Sequence, residues 1–160
     1  MRGQTIIELL IAVVLFVIVV SGFAFFILDS YAAGRLAKEL TIANSLAQEG
    51  LEATRSIRDN SWNDLAVGNH GLAISDNVWV FQDIEEDIGG LLGSGKRKII
   101  VENLNPPDND RKKITSQITW QFTPQRPESV ALVTYFTNWE KSAPYLKQLR
   151  YRWRNDNGGE

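Results

Sequence analysis

The chain has 160 residues, of which 44% are hydrophobic and 22% charged, with a formal net charge of −2 and no cysteine. This length accommodates one compact domain and one additional element, but not two full cores. The lack of cysteine excludes disulfides, thiol nucleophiles and cysteine-based zinc sites, and the single histidine, His70, excludes motifs that need two. The slightly acidic balance argues against a general attraction to nucleic acid. We therefore expect a protein that is not an enzyme and binds no cofactor or metal.

An uncharged apolar run of 20 residues, from Leu9 to Leu28, dominates the N-terminal region. As a helix it spans about 30 Å, the thickness of a bilayer hydrocarbon core, so it predicts one membrane crossing. Arg2 precedes the run, which favours an N-terminus on the cytoplasmic side. A plain membrane anchor is one alternative, and a secretory signal cleaved near Ala32 is another. The signal is disfavoured because the run exceeds the usual length of about 7–15 residues and the helical pattern continues past the cut.

Glu8 places a carboxylate among apolar neighbours at the start of this segment. A charge inside a membrane helix costs about 2.5–3.5 kcal/mol at the centre and less near the ends, so such residues usually have a function or a partner. The string from Arg2 to Leu10, RGQTIIELL, resembles the prepilin processing motif of type IV pilins and type II secretion pseudopilins. In that family a short basic leader ends in glycine, and a glutamate is the fifth residue of the mature chain.

The resemblance implies cleavage after Gly3 by a prepilin peptidase, Gln4 as the methylated mature N-terminus, and Glu8 as the assembly residue. Glu8 of one subunit would neutralise the amine at Gln4 of a neighbour and so set the stagger between subunits. The family usually has an apolar residue where this chain has Gln4, and an N-terminal glutamine can instead cyclise, which would leave no amine to methylate. The implied partners are other pilin or pseudopilin subunits, the prepilin peptidase, membrane lipid and an assembly platform protein. The implied location is the cytoplasmic membrane with the head outside, and then a cell-surface or periplasmic filament.

An amphipathic pattern follows the apolar run, with charged residues on the other faces. Its apolar stripe comprises Ala33, Leu36, Leu40, Ala43, Leu46 or Ala47, Leu51, Thr54 and Ile57. No proline interrupts residues 1–58, so one helix of more than 50 residues is expected. We predict an α+β fold in which this helix packs on a small antiparallel sheet. The divisions are a leader at 1–3, a membrane or filament-core half at 4–29, an amphipathic half at 30–58, a β-rich head at 59–154 and a disordered tail at 155–160.

The head reads as antiparallel strands at residues 77–82, 98–103, 114–122 and 130–139, with a hairpin connection at 124–128 and a last edge strand at 149–154. The segment 59–61 supplies turn chemistry at the end of the helix, and Trp62 is expected to plug the core beneath it. His70 lies in a Gly-Asn-His-Gly sequence that we interpret as a turn, which disfavours a catalytic role.

Two patterns resemble ligand sites without matching them. Residues 90–96 fit G-x-x-x-x-G-K, but Arg97 follows where a phosphate-binding loop needs serine or threonine, so we expect a flexible hairpin tip. Acidic turns at 85–87, 108–110 and 156–158 offer oxygen ligands but lack the spacing of a calcium loop, so we interpret them as solvated turns.

The strongest rival pattern alternates basic and aromatic residues near the C-terminus, at Arg150, Arg152, Trp153 and Arg154. Together with basic triplets at 96–98 and 111–113, such residues are able to contact nucleic acid through phosphates and stacking. The alternative, which we favour, is an edge strand whose arginines oppose edge-to-edge pairing. The chain is therefore predicted to be a structural filament subunit, with a DNA-uptake pilin or a plain membrane-anchored binding domain as the alternatives.

Overall fold

The computed structural model describes residues 2–104, 106, 107 and 109–139, and of residues 2–5 the backbone alone. One helix, α1 (Arg2–Asn60), is followed by a short 3₁₀ turn (Trp62–Asp64) and six strands. The strands are β1 (Gly68–Ser75), β2 (Val78–Gln82), β3 (Glu86–Asp87), β4 (Lys96–Asn103), β5 (Arg111–Thr123) and β6 (Arg126–Thr137). The chain divides into two units, Met1–Thr41 and Ile42–Glu160. The predicted strand at 149–154 and the predicted tail at 155–160 lie outside the described residues.

In the first unit the apolar side chains of α1 are exposed. The large ones between Ile6 and Leu28 are each 48–72% exposed. The described part of α1, Ile6–Asn60, is long and apolar enough to cross a membrane once, and none of its most apolar window is buried within the protein. Ala33, the first residue of the predicted stripe, is also exposed.

In the second unit α1 packs on the sheet, and the predicted α+β architecture is confirmed. Buried positions recur every three or four residues, as an amphipathic helix requires. They are Ala43, Leu46, Ala47, Gly50, Ala53, Thr54 and Ile57. Most of these are small, which allows the helix backbone to approach the sheet closely. Leu51, expected in the stripe, is half-buried, because Gly50 and Ala53 take the positions nearest the sheet.

The sheet is antiparallel, with strand order β2-β1-β4-β5-β6, and β3 pairs with one end of β4. The four predicted strands are confirmed as β2, β4, β5 and β6, within a few residues at each end. The predicted hairpin is tighter than expected, since only Pro124 and Gln125 separate β5 from β6.

Two strands were missed. β1 contains Gly68, Asn69 and Gly71, residues that favour turns, and β3 has only two residues. The interpretation of His70 as part of a turn is wrong, because His70 lies in β1 and pairs with Ile99 of β4. Tertiary pairing with β4 and β2 overrides the local turn preference here.

Buried residues alternate with more exposed ones along β4 and β5, and the buried residues form the core between α1 and the sheet. The core cluster comprises Ala53, Ile57, Leu65, Leu72, Ile99, Val101, Ile114 and Phe136. Trp62 packs against this cluster and is partly buried, which agrees with its predicted place below the helix end. The outward side chains of β5, such as Thr115, Gln117 and Thr119, are polar, so the described sheet has one core face and one solvent face.

The close approach of α1 to the sheet generates a first prediction at Gly50. A Cβ there would lie 2.5 Å from Ser116 Oγ and 3.1 Å from Ile99 Cδ1. We expect Gly50→Ala to lower the free energy of unfolding by about 1–2 kcal/mol, because overpacking outweighs the roughly 1 kcal/mol that alanine adds to helix propensity. Thermal unfolding of the full chain in detergent measures the change.

Gly34→Ala is the matched control, since a Cβ at Gly34 meets nothing within 4 Å. That variant should be as stable as the wild type or slightly more stable. Adding Ser116→Ala to Gly50→Ala should recover part of the loss by removing the hydroxyl that crowds the new methyl group. A Gly50→Ala variant with wild-type stability would show that the helix does not rest on the sheet at this point.

Candidate functional site

The first candidate surface is the exposed apolar part of α1, residues 6–28. Glu8 is its only charged residue, and its side chain is exposed. None of the described side chains forms an ion pair with Glu8. We call residues 6–28 the assembly surface. It offers neighbouring molecules a large apolar area with one acid near its N-terminal end.

The predicted cleavage site lies just before the assembly surface. The backbone of Gly3 and Gln4 is helical, and both residues belong to the first turn of α1. Helix ends fray readily, so unwinding this bond into an extended conformation costs little. An extended conformation of the Gly3–Gln4 bond, the form in which a peptidase binds its substrate, is therefore within easy reach of this helical turn.

In the second unit, the basic triplets do not form an open basic patch. In 96–98, Lys96 and Lys98 both pair with Glu85, and the hydrogen bond with Glu85 raises the pKa of Lys96. In 111–113, Lys113 pairs with Glu102 at 2.8 Å. The middle residue of each triplet points inward, since strand neighbours face opposite sides of a sheet. The other predicted nucleic-acid contacts, Arg150, Arg152, Trp153 and Arg154, lie outside the described residues.

Arg97, the middle residue of the first triplet, is 2% exposed and joins three elements. Its Nε and Nη2 donate to the two carboxylate oxygens of Glu86 at 2.8 and 3.0 Å. Its Nη1 donates to the backbone oxygen of Leu46 at 3.2 Å and lies 3.6 Å from Glu49. A paired guanidinium of this kind is a structural clamp between α1, β3 and β4.

The loop that resembles a phosphate-binding loop is closed by its own contacts. Ile88 and Leu92 are buried, and the amide of Ile88 donates to the carbonyl of Gly95 at 2.9 Å. A strand, β4, follows the loop, and Lys96 is paired with Glu85. The loop is an anchored connection between β3 and β4 and not the flexible tip that we predicted.

The acidic segment at 85–87 is not the solvated turn that we predicted, because Glu86 and Asp87 form β3. Glu85 and Glu86 pair with basic side chains, and Asp87 accepts the amide of Gly89 at 2.8 Å. The described residues contain no group of three or more acids or histidines placed to hold a metal. Of the other acidic turns, Asp108 and residues 156–158 are outside the described part of the chain.

His70 contacts no serine or carboxylate among the described residues. Its ring stacks on Phe81 with centroids 4.3 Å apart, and Nε2 lies 2.9 Å from the carbonyl oxygen of Ala66. Nε2 must carry the proton to donate to that oxygen. This arrangement holds the ring in place against Phe81.

A second candidate surface is a pocket of about 370 Å³ at one end of the core, which the sequence did not reveal. We call it the head pocket. Lys112 lies on it, 6% exposed, and its Nζ donates to the carbonyl of Leu65 and sits 4.9 Å from the centre of the Trp62 ring. Trp62 Nε1 donates to the carbonyl of Asn109 at 3.1 Å. No described carboxylate forms an ion pair with Lys112, so burial lowers its pKa by disfavouring the ammonium form.

The lowered pKa of Lys112 predicts how stability changes at alkaline pH. Between the lowered pKa and the ordinary value of 10.5, the unfolded chain binds more protons than the folded one, so Lys112's contribution to the free energy of unfolding rises with pH. Below that window the cost of the buried charge is present in full. We expect wild type to gain stability relative to Lys112→Met as the pH rises toward 10.5, measured by thermal unfolding at stepped pH.

Lys113→Met is the control, because Glu102 raises the pKa of Lys113. Its contribution is present below 10.5 and is lost as the pH rises through the raised value, which is the opposite sign. Parallel pH curves for the two variants would contradict the burial of the Lys112 ammonium.

No family model, curated protein or solved structure matches this chain. Its function therefore has to be inferred from its own residues and their geometry. Two surfaces of the described residues are used for that inference, the assembly surface and the head pocket.

Proposed function

We propose that this chain is a structural subunit, a minor pilin or pseudopilin, of a type IV pilus or type II secretion-like filament. The supporting observation is Glu8, the only charged residue of the exposed apolar segment 6–28 and the fifth residue counted from Gln4. In a plain membrane anchor the Glu8 carboxylate would only extend to the lipid headgroups. A processed filament subunit gives it a specific partner, since the new N-terminus and Glu8 form a pair of opposite charges between copies.

The assembly surface sets the requirement that any function must meet. Apolar area exposed to water costs about 25 cal/mol per Å², so a helix of large exposed side chains has to be covered by lipid or by other protein. A helix satisfies its own backbone hydrogen bonds, which lets it reside in a membrane before assembly. Copies that leave the membrane then cover one another's apolar surface in the filament core.

Glu8 supplies the register in this scheme. An unpaired carboxylate is costly in an apolar environment, and so is the unpaired amine of a newly formed N-terminus. Pairing Glu8 of one copy with the amine at Gln4 of the next removes both costs at one particular stagger of the helices. The mechanism requires that Gln4 keep its amine, methylated or not, and fails if the residue is cyclised.

The partners and location follow from this role. The prepilin peptidase acts on the Gly3–Gln4 bond at the cytoplasmic face, and membrane lipid holds the subunit until an assembly platform extracts it. The head then lies outside the cytoplasmic membrane. In the described head, most of the cations of the basic triplets are paired or buried, which favours a filament subunit over a DNA-uptake pilin.

Processing provides the direct test. Co-expression with a prepilin peptidase should yield a chain of 157 residues, three fewer than the full 160. Gly3→Val should stay at full length, because a β-branched side chain occupies the space beside the scissile bond and stiffens the backbone. Intact mass of the membrane-purified protein reads out both outcomes.

Gly22→Val is the matched control within the same helix, since a Cβ at Gly22 meets nothing within 4 Å. It should be processed like the wild type. Removal of residues 1–3 from Gly3→Val would overturn the assignment of the cleavage site, and a chain beginning at Ala33 would identify a secretory signal instead.

Assembly tests the role of Glu8. Glu8→Gln keeps the size of the side chain and removes its charge, so membrane insertion should be unchanged while filament yield falls about tenfold or more, the effect of losing roughly 1.4 kcal/mol per subunit contact. Sheared filaments and membrane fractions are quantified in cells that lack the native copy.

Asp29→Asn is the control acid, exposed on the same helix just beyond the assembly surface. Its filament yield should match that of the wild type. Wild-type yield from Glu8→Gln would refute the charge pair, and an equal loss from both variants would indicate a general effect of charge on α1.

A further inference from the structure

The head pocket forms where the apolar core of the sheet ends. Along the inward face, the pairs Arg97–Ile118, Ile99–Ser116 and Val101–Ile114 are followed by Asn103–Lys112. α1 ends at Asn60, and residues between Trp62 and Val67 line the pocket together with Asn103 and Lys112. The opening therefore lies beside a polar pair and under a loop.

Four asparagines line this opening: Asn63, Asn103, Asn109 and Asn138. Asn103 Nδ2 donates to Asn109 Oδ1 at 2.6 Å, whereas Asn103 Oδ1 is buried and accepts no hydrogen bond from the described residues. Buried polar atoms without a partner are rare in folded proteins and usually indicate a missing ligand or water. The row therefore lacks at least one hydrogen-bond donor.

The described lining of the head pocket carries one charge of each sign. Lys112 contributes an ammonium group and Asp110 a carboxylate, and the four amides are neutral. A strongly anionic ligand would meet Asp110, and a cationic ligand would meet Lys112. This arrangement suits a neutral ligand with many groups that both donate and accept hydrogen bonds, because amide side chains do both.

The remaining wall is apolar and partly aromatic. Trp62 is half-buried, and Leu65, Ala66 and Val67 complete that side. The combination of an indole with amides and one acid suits a sugar ring, which has hydroxyl groups at its edge and C–H bonds on its faces. The volume of about 370 Å³ is at the lower end of the range of ligand pockets, about 300–1,000 Å³, and accommodates about one or two sugar rings.

We propose that the head pocket binds a neutral sugar unit of a glycan, with Trp62 and the asparagines as its contacts. The Lys112 ammonium group holds the Trp62 ring and the Leu65 carbonyl in position, and it provides a hydrogen-bond donor at the bottom of the head pocket. The proposal does not depend on the filament role, since every residue in it belongs to the head. It would equally serve a head that is displayed on a plain membrane anchor.

The test uses the full chain in a zwitterionic detergent without a sugar headgroup, because a maltoside would compete. N-acetylglucosamine is the probe, and the indole N–H resonance of Trp62 is the readout, identified among the five tryptophans by its loss in Trp62→Phe. We expect a saturable shift with a Kd of about 1–10 mM, the strength of a few hydrogen bonds and one small apolar contact.

Variants separate binding from structure. Lys112→Met and Asn63→Ala should each weaken binding about threefold or more, and Asn63 is exposed, so its replacement leaves the fold intact. The matched controls are Lys113→Met, on the outward face of the same strand, and Asn69→Ala, exposed on β1 away from the pocket. Both should bind as the wild type does.

Three further probes test the ligand class. Glucosamine carries a positive charge, glucuronate a negative charge, and N-acetylglycinamide represents a peptide; all three should bind more weakly than N-acetylglucosamine. The proposal is wrong if N-acetylglucosamine gives no saturable shift up to about 100 mM, far above the expected Kd. It is equally wrong if a charged or peptide probe binds more tightly, or if the control variants lose affinity as much as the pocket variants.

Discussion

Arg97 places a guanidinium group between α1 and the sheet, where it is 2% exposed and needs partners for its charge. Removing such a group from water costs several kcal/mol, which is recovered only with good geometry. Its partners are the Glu86 carboxylate of β3 and the carbonyl of Leu46 in α1. The pairing therefore holds only when helix, β3 and β4 are all in place. It also explains how a strand of two residues, too short to be stable alone, persists in this sheet.

The helix meets two different requirements along its length. Its second part faces the sheet with small residues, and Gly50 lies so close to Ser116 that a methyl group does not fit. Its first part carries large apolar residues that nothing within the described protein buries. The described residues of the second unit thus bury their own apolar core, whereas the apolar surface of the first unit is not buried by any described residue. In the filament that we propose, lipid and then other copies would cover that surface, and Glu8 would supply the register that uniform apolar contact lacks.

The head pocket lies near the end of α1. Along the inward face of the sheet the apolar pair Val101–Ile114 is followed by the polar pair Asn103–Lys112, and α1 ends at Asn60. Lys112 is buried and forms no ion pair with the described carboxylates, which makes the folded state less stable, and such groups are more often retained at binding sites than elsewhere. The two surfaces lie on different units, so assembly through the helix and ligand binding by the head are separable by mutation. Each is tested by variants that leave the other unchanged.

Periodicity and length alone determined the long helix, its apolar and amphipathic parts, and four of the six strands, because these signals are local and repeat along the chain. The spacing of five residues between Gly3 and Glu8, on which the proposed processing site depends, could also be identified from the sequence alone. Two features depend on the tertiary structure and not on local patterns. β1 and β3 are strands because they pair with β4, and most cations of the basic triplets are paired or buried because of the side chains that surround them in the fold. Lys96 and Arg97 are adjacent and chemically alike in the sequence, yet one is exposed and the other buried, since only the alternation of the folded strand assigns them to opposite faces. The head pocket likewise required the fold, because its lining comes from four separate segments that meet only where the helix ends.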